Sequence, residues 1–302
     1  MLVRFGVEDL GADWPSCVVC IGTFDGVHLG HQEVIRTGVK KSRQVEKPSA
    51  VLTFDRNPLA VLAPERRPPS VGTIGINLDA IANLGVSLAV VLPFDGRLAA
   101  TSADTFFEEI LLKKLKSGIA VIGHDFAFGK GREGTPDWLA KRLDSIVVPP
   151  FQLDGVRVSS SAIRNAIAEG RIESANKLLA RPWTQEGIVI SGQKLGREIG
   201  FPTINLAAVG NQVVPADGVY KGVAQTAEGA FRAAIGIGQR PGFGDGTRTI
   251  EAFLLDYPGK SLYGTAVRLS YERMLREDRK FDSLEALKAQ IAVDVAEVAI
   301  AE

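Results

Sequence analysis

At 302 residues, 45% of them apolar and 23% charged, the chain has material for two globular domains rather than one. Lys+Arg and Asp+Glu both number 35, so the net charge is zero and the composition argues against nucleic acid or an anionic membrane surface as partner. Two cysteines do not make a secreted disulfide scaffold, the first residues lack a signal-peptide pattern and no apolar run reaches membrane-spanning length, so a cytoplasmic protein is expected.

The first informative element is a short, β-branched segment, Cys17-Val18-Val19-Cys20-Ile21, that reads as a buried parallel strand. A glycine-bearing turn follows, then Gln32-Glu33-Val34-Ile35-Arg36 with helical spacing. Two of the three histidines, His28 and His31, stand at the entrance of that helix. Strand, turn and helix in this order present free backbone N–H groups and the positive end of the helix dipole to a phosphate. Gly22, Gly26 and Gly30 let the backbone bend and approach. Imidazoles placed there donate hydrogen bonds to a polyphosphate and stabilise charge that develops during phosphoryl transfer. Zinc is disfavoured, since a structural site needs four N/S ligands and the chain offers one further histidine and two cysteines. Cys17 and Cys20 lie three apart on the predicted strand and so point to opposite faces, as buried core thiols.

Ala50–Phe54 reads as a second buried strand, ending in the polar loop Asp55-Arg56-Asn57-Pro58. Residues 64–76 are rich in Pro, Gly and Arg and read as a loop; Leu78–Leu84 is helical in spacing and leads to a third strand, Leu88–Asp95. Ser102–Leu112 reads as a capped amphipathic helix. Ile119–Arg132 is again a strand followed by a glycine-punctuated turn, holding His124 and Asp125. At Ser159-Ser160-Ser161-Ala162-Ile163-Arg164 a helix entrance gathers hydroxyls, free N–H groups and a guanidinium, more than an N-cap requires. Near Pro182 the pattern changes to short β-like runs, at 186–190, 218–224, 231–235, 250–255 and 266–271, separated by glycine-rich turns. A small antiparallel barrel is the natural packing, closed by a helix over 283–291. The loop from Gly192 through Gly200 to Thr203 and Asn205 is glycine-rich and basic, by itself weak evidence for phosphate binding.

The string G-T-F-D-G-V-H-L-G-H-Q resembles the HxGH nucleotidyltransferase superfamily, and within it is similar to the prokaryotic bifunctional riboflavin kinase/FMN adenylyltransferase (FAD synthetase) family. Further segments match that family, among them V-I-G-H-D-F-A-F-G at Asp125, S-S-S-A-I-R at Ser160, Ser161 and Arg164, G-R-E-I-G-F-P-T-I-N ending at Thr203 and Asn205, and E-A-F-L-L-D at Glu251. The resemblance implies a Rossmann-like α/β nucleotidyltransferase domain over 1–182 and a riboflavin kinase β-barrel over 183–302. It implies riboflavin, FMN and ATP as substrates, with Mg²⁺ held at Thr203 and Asn205. His28, His31 and Arg164 would carry adenylyl transfer, and Glu251 would be the general base of the kinase. Gly22, Phe24, Asp25, Asn57, Asp125, Ser160 and Ser161 would bind nucleotide or flavin in the first domain, and Gly192, Gly200, Thr203 and Asn205 in the second. The chain departs from the family at Arg56, where proline is common, at Gln193 and Leu195, and at Gly236 and Gly242, where Asn and Thr are usual. Two other readings compete: a nucleotidyltransferase for another phosphorylated acceptor, which the kinase-like half opposes, and an adenylyltransferase whose barrel binds flavin without catalysis.

Overall fold

A computed structural model describes the chain except for residues 9, 11–13, 193–195, 197–198, 240–247 and 301–302. The described residues form two compact units, one made of Met1–Ser70 and Ile74–Ser160, the other of Val71–Thr73 and Ser161–Glu302.

The first unit is a six-stranded sheet of β1 (Leu2–Phe5), β2 (Cys17–Ile21), β3 (Ser49–Phe54), β4 (Leu88–Leu92), β5 (Ser117–Gly123) and β6 (Asp144–Val148). Their order is β1-β4-β3-β2-β5-β6, and every pairing is parallel. All five residues of β2 and of β4 are buried, which explains why these strands read as unbroken apolar runs rather than alternating ones. The helix Leu29–Gln44 covers one face through Ile35 and Val39, packed with Val18, Cys20 and Val51. Phe106, Phe107 and Leu111 cover the other, packed with Cys17, Val19 and Ile21. The two cysteines therefore face opposite layers, as expected; both are free, and burial pushes their thiols up to about 11 and about 12. Neither forms a thiolate at neutral pH.

Several elements differ from the sequence reading, among them a short helical turn, Pro64–Arg66, inside the expected loop. The helix expected from Leu78 starts at Ile74 and ends at Ala82, so the preceding loop is shorter. Burial of Ile76 and Ile81 overrides the poor helix propensity of the Ile-Gly-Ile start. The capped helix begins as expected, with Ser102 accepting the N–H of Thr105, but continues from Phe106 to Lys114 as a π-helix. A two-residue-armed hairpin, β7 (Gln152–Leu153) with β8 (Val156–Arg157), is too short to leave a periodic signal.

Sheet order decides where a ligand can bind. The chain lays β3 and β4 on one side of β2 and then crosses to place β5 and β6 on the other. The direction reverses between β2 and β5, and the crevice outside the carboxyl ends of the strands at such a point is where open α/β sheets take ligands. The residues there are the Gly22–His31 loop after β2 and the turn at Asp125 after β5.

The second unit is a closed antiparallel barrel of β9 (Trp183–Ile190), β10 (Thr203–Ala208), β11 (Gly218–Thr226), β12 (Gly229–Gln239), β13 (Arg248–Leu254) and β14 (Ala266–Glu277). The order is β10-β13-β12-β11-β14-β9, closed by β9 on β10. All five predicted strand segments fall on strands of this barrel, while β10 lay hidden in the glycine-rich stretch. Trp183, Tyr220 and Tyr271 fill the interior, with ring centroids 4.9 and 5.6 Å apart. The indole N–H of Trp183 donates to the carbonyl of Val71 at 2.7 Å, which ties Val71–Thr73 into this unit. A helix, Leu284–Ala299, closes the chain; Ser283 caps it as expected, and it runs eight residues beyond the predicted end.

Candidate active sites

The Gly22–His31 loop is built on strained backbone. Phe24 and Val27, buried to 1% and 0% exposure, have φ of 45° and 42°, and Gly26 between them has φ of 80°. A left-handed conformation is costly for any side chain and most of all for a β-branched one, so the surroundings must impose it. Five bonds do so. The N–H of Val27 donates to the Phe24 carbonyl at 3.2 Å, and the N–H of Gly26 to Oδ1 of Asn77 at 3.0 Å. Ser160 Oγ donates to the Asp25 carbonyl at 2.9 Å, Thr53 Oγ1 to the Thr23 carbonyl at 3.1 Å and Gln32 Nε2 to the Val27 carbonyl at 3.0 Å.

His28 ends this loop as the N-cap of the helix Leu29–Gln44, its Nδ1 accepting the backbone N–H of His31 at 3.2 Å. An acceptor at Nδ1 assigns the proton of the neutral ring to Nε2. The rings of His28 and His31 stack, centroids 3.6 Å apart and 16° from parallel, and Phe24 meets His31 edge-on at 5.4 Å. Burial, and secondarily the neighbouring His28, push the pKa of His31 well below the ordinary histidine range. Its Nδ1 is shielded and makes no hydrogen bond among the described residues. A Cβ at Gly30 would press on the His28 ring at 3.2 Å, so glycine there is a packing requirement. Gly22 is similarly confined, since a Cβ would sit 3.1 Å from the Phe24 ring.

After β5, the exposed carboxylate of Asp125 pairs with Arg157 at 3.0 Å, and the same guanidinium nitrogen lies 3.1 Å from Nε2 of His124. Arg132 donates to the Asp125 carbonyl at 3.0 Å. Arg157 and Arg132 were not singled out by sequence, though both stand within seven residues of a motif. Asn57 uses its side chain on the backbone N–H of Leu59, and Arg56 pairs with Asp55 at 2.7 Å. In the second unit, Arg164 donates to Oγ of Ser161 at 3.0 Å.

The barrel holds a second candidate site, a cavity of about 400 Å³. Thr203 and Asn205 on β10 and Glu251 on β13 line it together; Asn205 stands opposite Glu251 in register, and Thr203 Oγ1 donates to the Glu251 carboxylate at 3.2 Å. Gly192 runs so close to Asn205 that a Cβ there would collide with the amide, and Gly200 has φ of 90°. Phe201, Phe253, Leu287 and Ile291 supply apolar wall. Gly236 also stands opposite Glu251, on β12, and a Cβ there would meet nothing within 4 Å. Gln193, Leu195 and Gly242 lie outside the described residues.

Known proteins share both halves. The family described as FAD synthetase matches residues 11–162, and the family described as riboflavin kinase matches residues 179–301. The bifunctional riboflavin kinase/FMN adenylyltransferase of Escherichia coli K12 is 35% identical over 300 residues, covering 97% of this chain and 95% of that protein. The chain belongs to the bifunctional riboflavin kinase/FMN adenylyltransferase family. The family's protein from Bacillus subtilis 168 is 34% identical, covering 92% of this chain and 90% of its own. A solved structure described as a macrolide-efflux protein from Streptococcus pneumoniae superposes over the whole of both chains with a TM-score of 0.89 at 30% identity. Among the described residues of this family member, no helix is long and apolar enough to cross a membrane.

Proposed function

We propose that the family's two activities divide between two halves of this chain, 1–182 and 183–302. Riboflavin and ATP give FMN and ADP in the barrel; FMN and ATP give FAD and pyrophosphate at the Gly22–His31 loop. The division follows the two family matches and the start of the barrel at Trp183. We also place the enzyme in the cytoplasm, where ATP is made and where thiols such as Cys17 and Cys20 stay reduced.

In adenylyl transfer the FMN phosphate attacks the α-phosphorus of ATP, the bond to the β-phosphate oxygen breaks, and pyrophosphate leaves. The attacking phosphate is already ionised, so no strong base is needed and catalysis is positioning and charge stabilisation. The observation that carries this reading is the His28 Nδ1 bond to the His31 N–H, which assigns the ring proton to Nε2 and sets the imidazole at a helix N-terminus. His31, Ser161 and Arg164 add donors to the triphosphate. Gly22, Phe24, Asp25, Asn57, Asp125 and Ser160 shape the nucleotide and flavin subsites.

In the kinase, Glu251 takes the proton of the ribityl 5′-hydroxyl as that oxygen attacks the γ-phosphorus. Thr203, Asn205 and Glu251 are oxygen donors, the chemistry that suits Mg²⁺, and the close approach of Gly192 to Asn205 leaves a cradle without side-chain bulk. Thr203 and Asn205 would hold the ion, which supplies neutralisation of phosphate charge. Gly192, close against Asn205, and Gly200, at a φ of 90°, would bind the nucleotide phosphates beside Thr203 and Asn205.

A second reading keeps adenylyl transfer and silences the barrel. Gly236 favours it, since no side chain at that position reaches the space beside Glu251. Assaying each step separately in the same chain, with His28 and Glu251 substituted in turn, tests both readings.

A further inference from the structure

The strained loop before His28 is pinned at one peptide plane. The Asp25–Gly26 peptide has its carbonyl bonded by Ser160 Oγ at 2.9 Å and its N–H bonded to Oδ1 of Asn77 at 3.0 Å. Phe24 and Val27, the two left-handed residues other than glycine, stand one residue to either side of this plane. Ser160 belongs to a motif that the sequence displays. Asn77 belongs to none: it lies on the helix Ile74–Ala82, 51 residues from Gly26, and is 7% exposed.

We infer that Asn77 is a positioning residue for adenylyl transfer, fixing the Asp25–Gly26 peptide so that the chain delivers His28 in its capping orientation. This rests on reading the loop as the adenylyl-transfer site. A glycine peptide flips readily because nothing at Cα resists the rotation. Flipping this one would bury an N–H without acceptor and turn the Asp25 carbonyl away from Ser160. Asn77 and Ser160 together make the plane stay. Neither the strain at Phe24 nor that at Val27 can relax while both ends of the peptide are held, and the imidazole two residues on inherits the resulting direction of the backbone.

The test is a series at position 77 in the full chain: Asn77→Asp, which keeps an acceptor at the Oδ1 position, Asn77→Ala, which leaves room for a bridging water, and Asn77→Leu, which fills the space without an acceptor. FAD formation from FMN and ATP is read as kcat and KM separately. The expected order of kcat is Asn, then Asp, then Ala, then Leu, with leucine lower than wild type by about 10- to 100-fold and KM for FMN and ATP nearly unchanged. A merely structural loss would lower the amount of active enzyme alike for every variant and would not restore rate with aspartate. If the leucine variant does not fold, the aspartate–alanine difference decides. Wild-type kcat in both the alanine and leucine variants, or an aspartate variant no faster than alanine, overturns the role of Asn77. Absence of FAD formation by the wild-type chain overturns the reading of the loop itself.

Discussion

Nδ1 of His28 accepts the backbone N–H of His31 at 3.2 Å, and the two imidazoles stack 3.6 Å apart. In the proposed adenylyl transfer one ring does two jobs, capping a helix and carrying an Nε2 donor, and substitution can separate them. His28→Ala removes both; loss of a cap costs about 1 kcal/mol, and loss of a donor to developing charge slows the step by about 100- to 1000-fold. His28→Asn keeps a good capping side chain without the reach of the ring. It restores the melting temperature and leaves FAD formation as slow as in alanine, measured by thermal unfolding beside the rate from FMN and ATP.

His31 gives a pH dependence. Burial first, and His28 second, lower its pKa in the folded state below the unfolded value of about 6.5, so the unfolded chain binds more protons there. Its contribution to stability is complete above about pH 6.5 and is lost as pH falls from there toward the folded pKa. His31→Gln, which has no proton to gain, shows a flatter decline of melting temperature between pH 6.5 and pH 5. An equal decline in both proteins would mean that other groups govern acid unfolding.

Gly236 leaves space opposite Glu251 that a side chain can enter without a clash. Gly236→Asn folds as well as wild type and raises kcat/KM for riboflavin several-fold, because the amide offers further hydrogen bonds inside the cavity. Gly236→Leu fills the same space without polar atoms and lowers it. Steady-state phosphorylation of riboflavin checks the pair; a loss in the asparagine variant would show that the enzyme uses the space itself.

Much of this was legible in the sequence because it rests on local pattern. The buried strands announced themselves as unbroken β-branched runs, and the His28–His31 spacing placed both rings at one helix entrance. The five barrel strands followed from short runs between glycines. What escaped was set by tertiary contact. Asn77 is an ordinary polar residue until the sheet order brings its helix to Gly26. Arg157 sits on an arm of two residues, too short for a period of two to show. Strand β10 was masked by the glycine-rich stretch that precedes it in the sequence. The left-handed φ of Val27 contradicts its own propensity and is imposed by burial and by the bonds around it.

The most direct test of two sites in one chain is a crossed time course by chromatography, with riboflavin, ATP and Mg²⁺ in one series and FMN, ATP and Mg²⁺ in the other. The wild type should release FMN first and FAD after it. Glu251→Gln should lose FMN formation by about 100- to 10,000-fold, the usual worth of a general base, and still convert supplied FMN to FAD. His28→Ala should do the reverse, accumulating FMN and making little FAD. A folded variant of either kind that lost both steps together would contradict the assignment of the two reactions to separate sites.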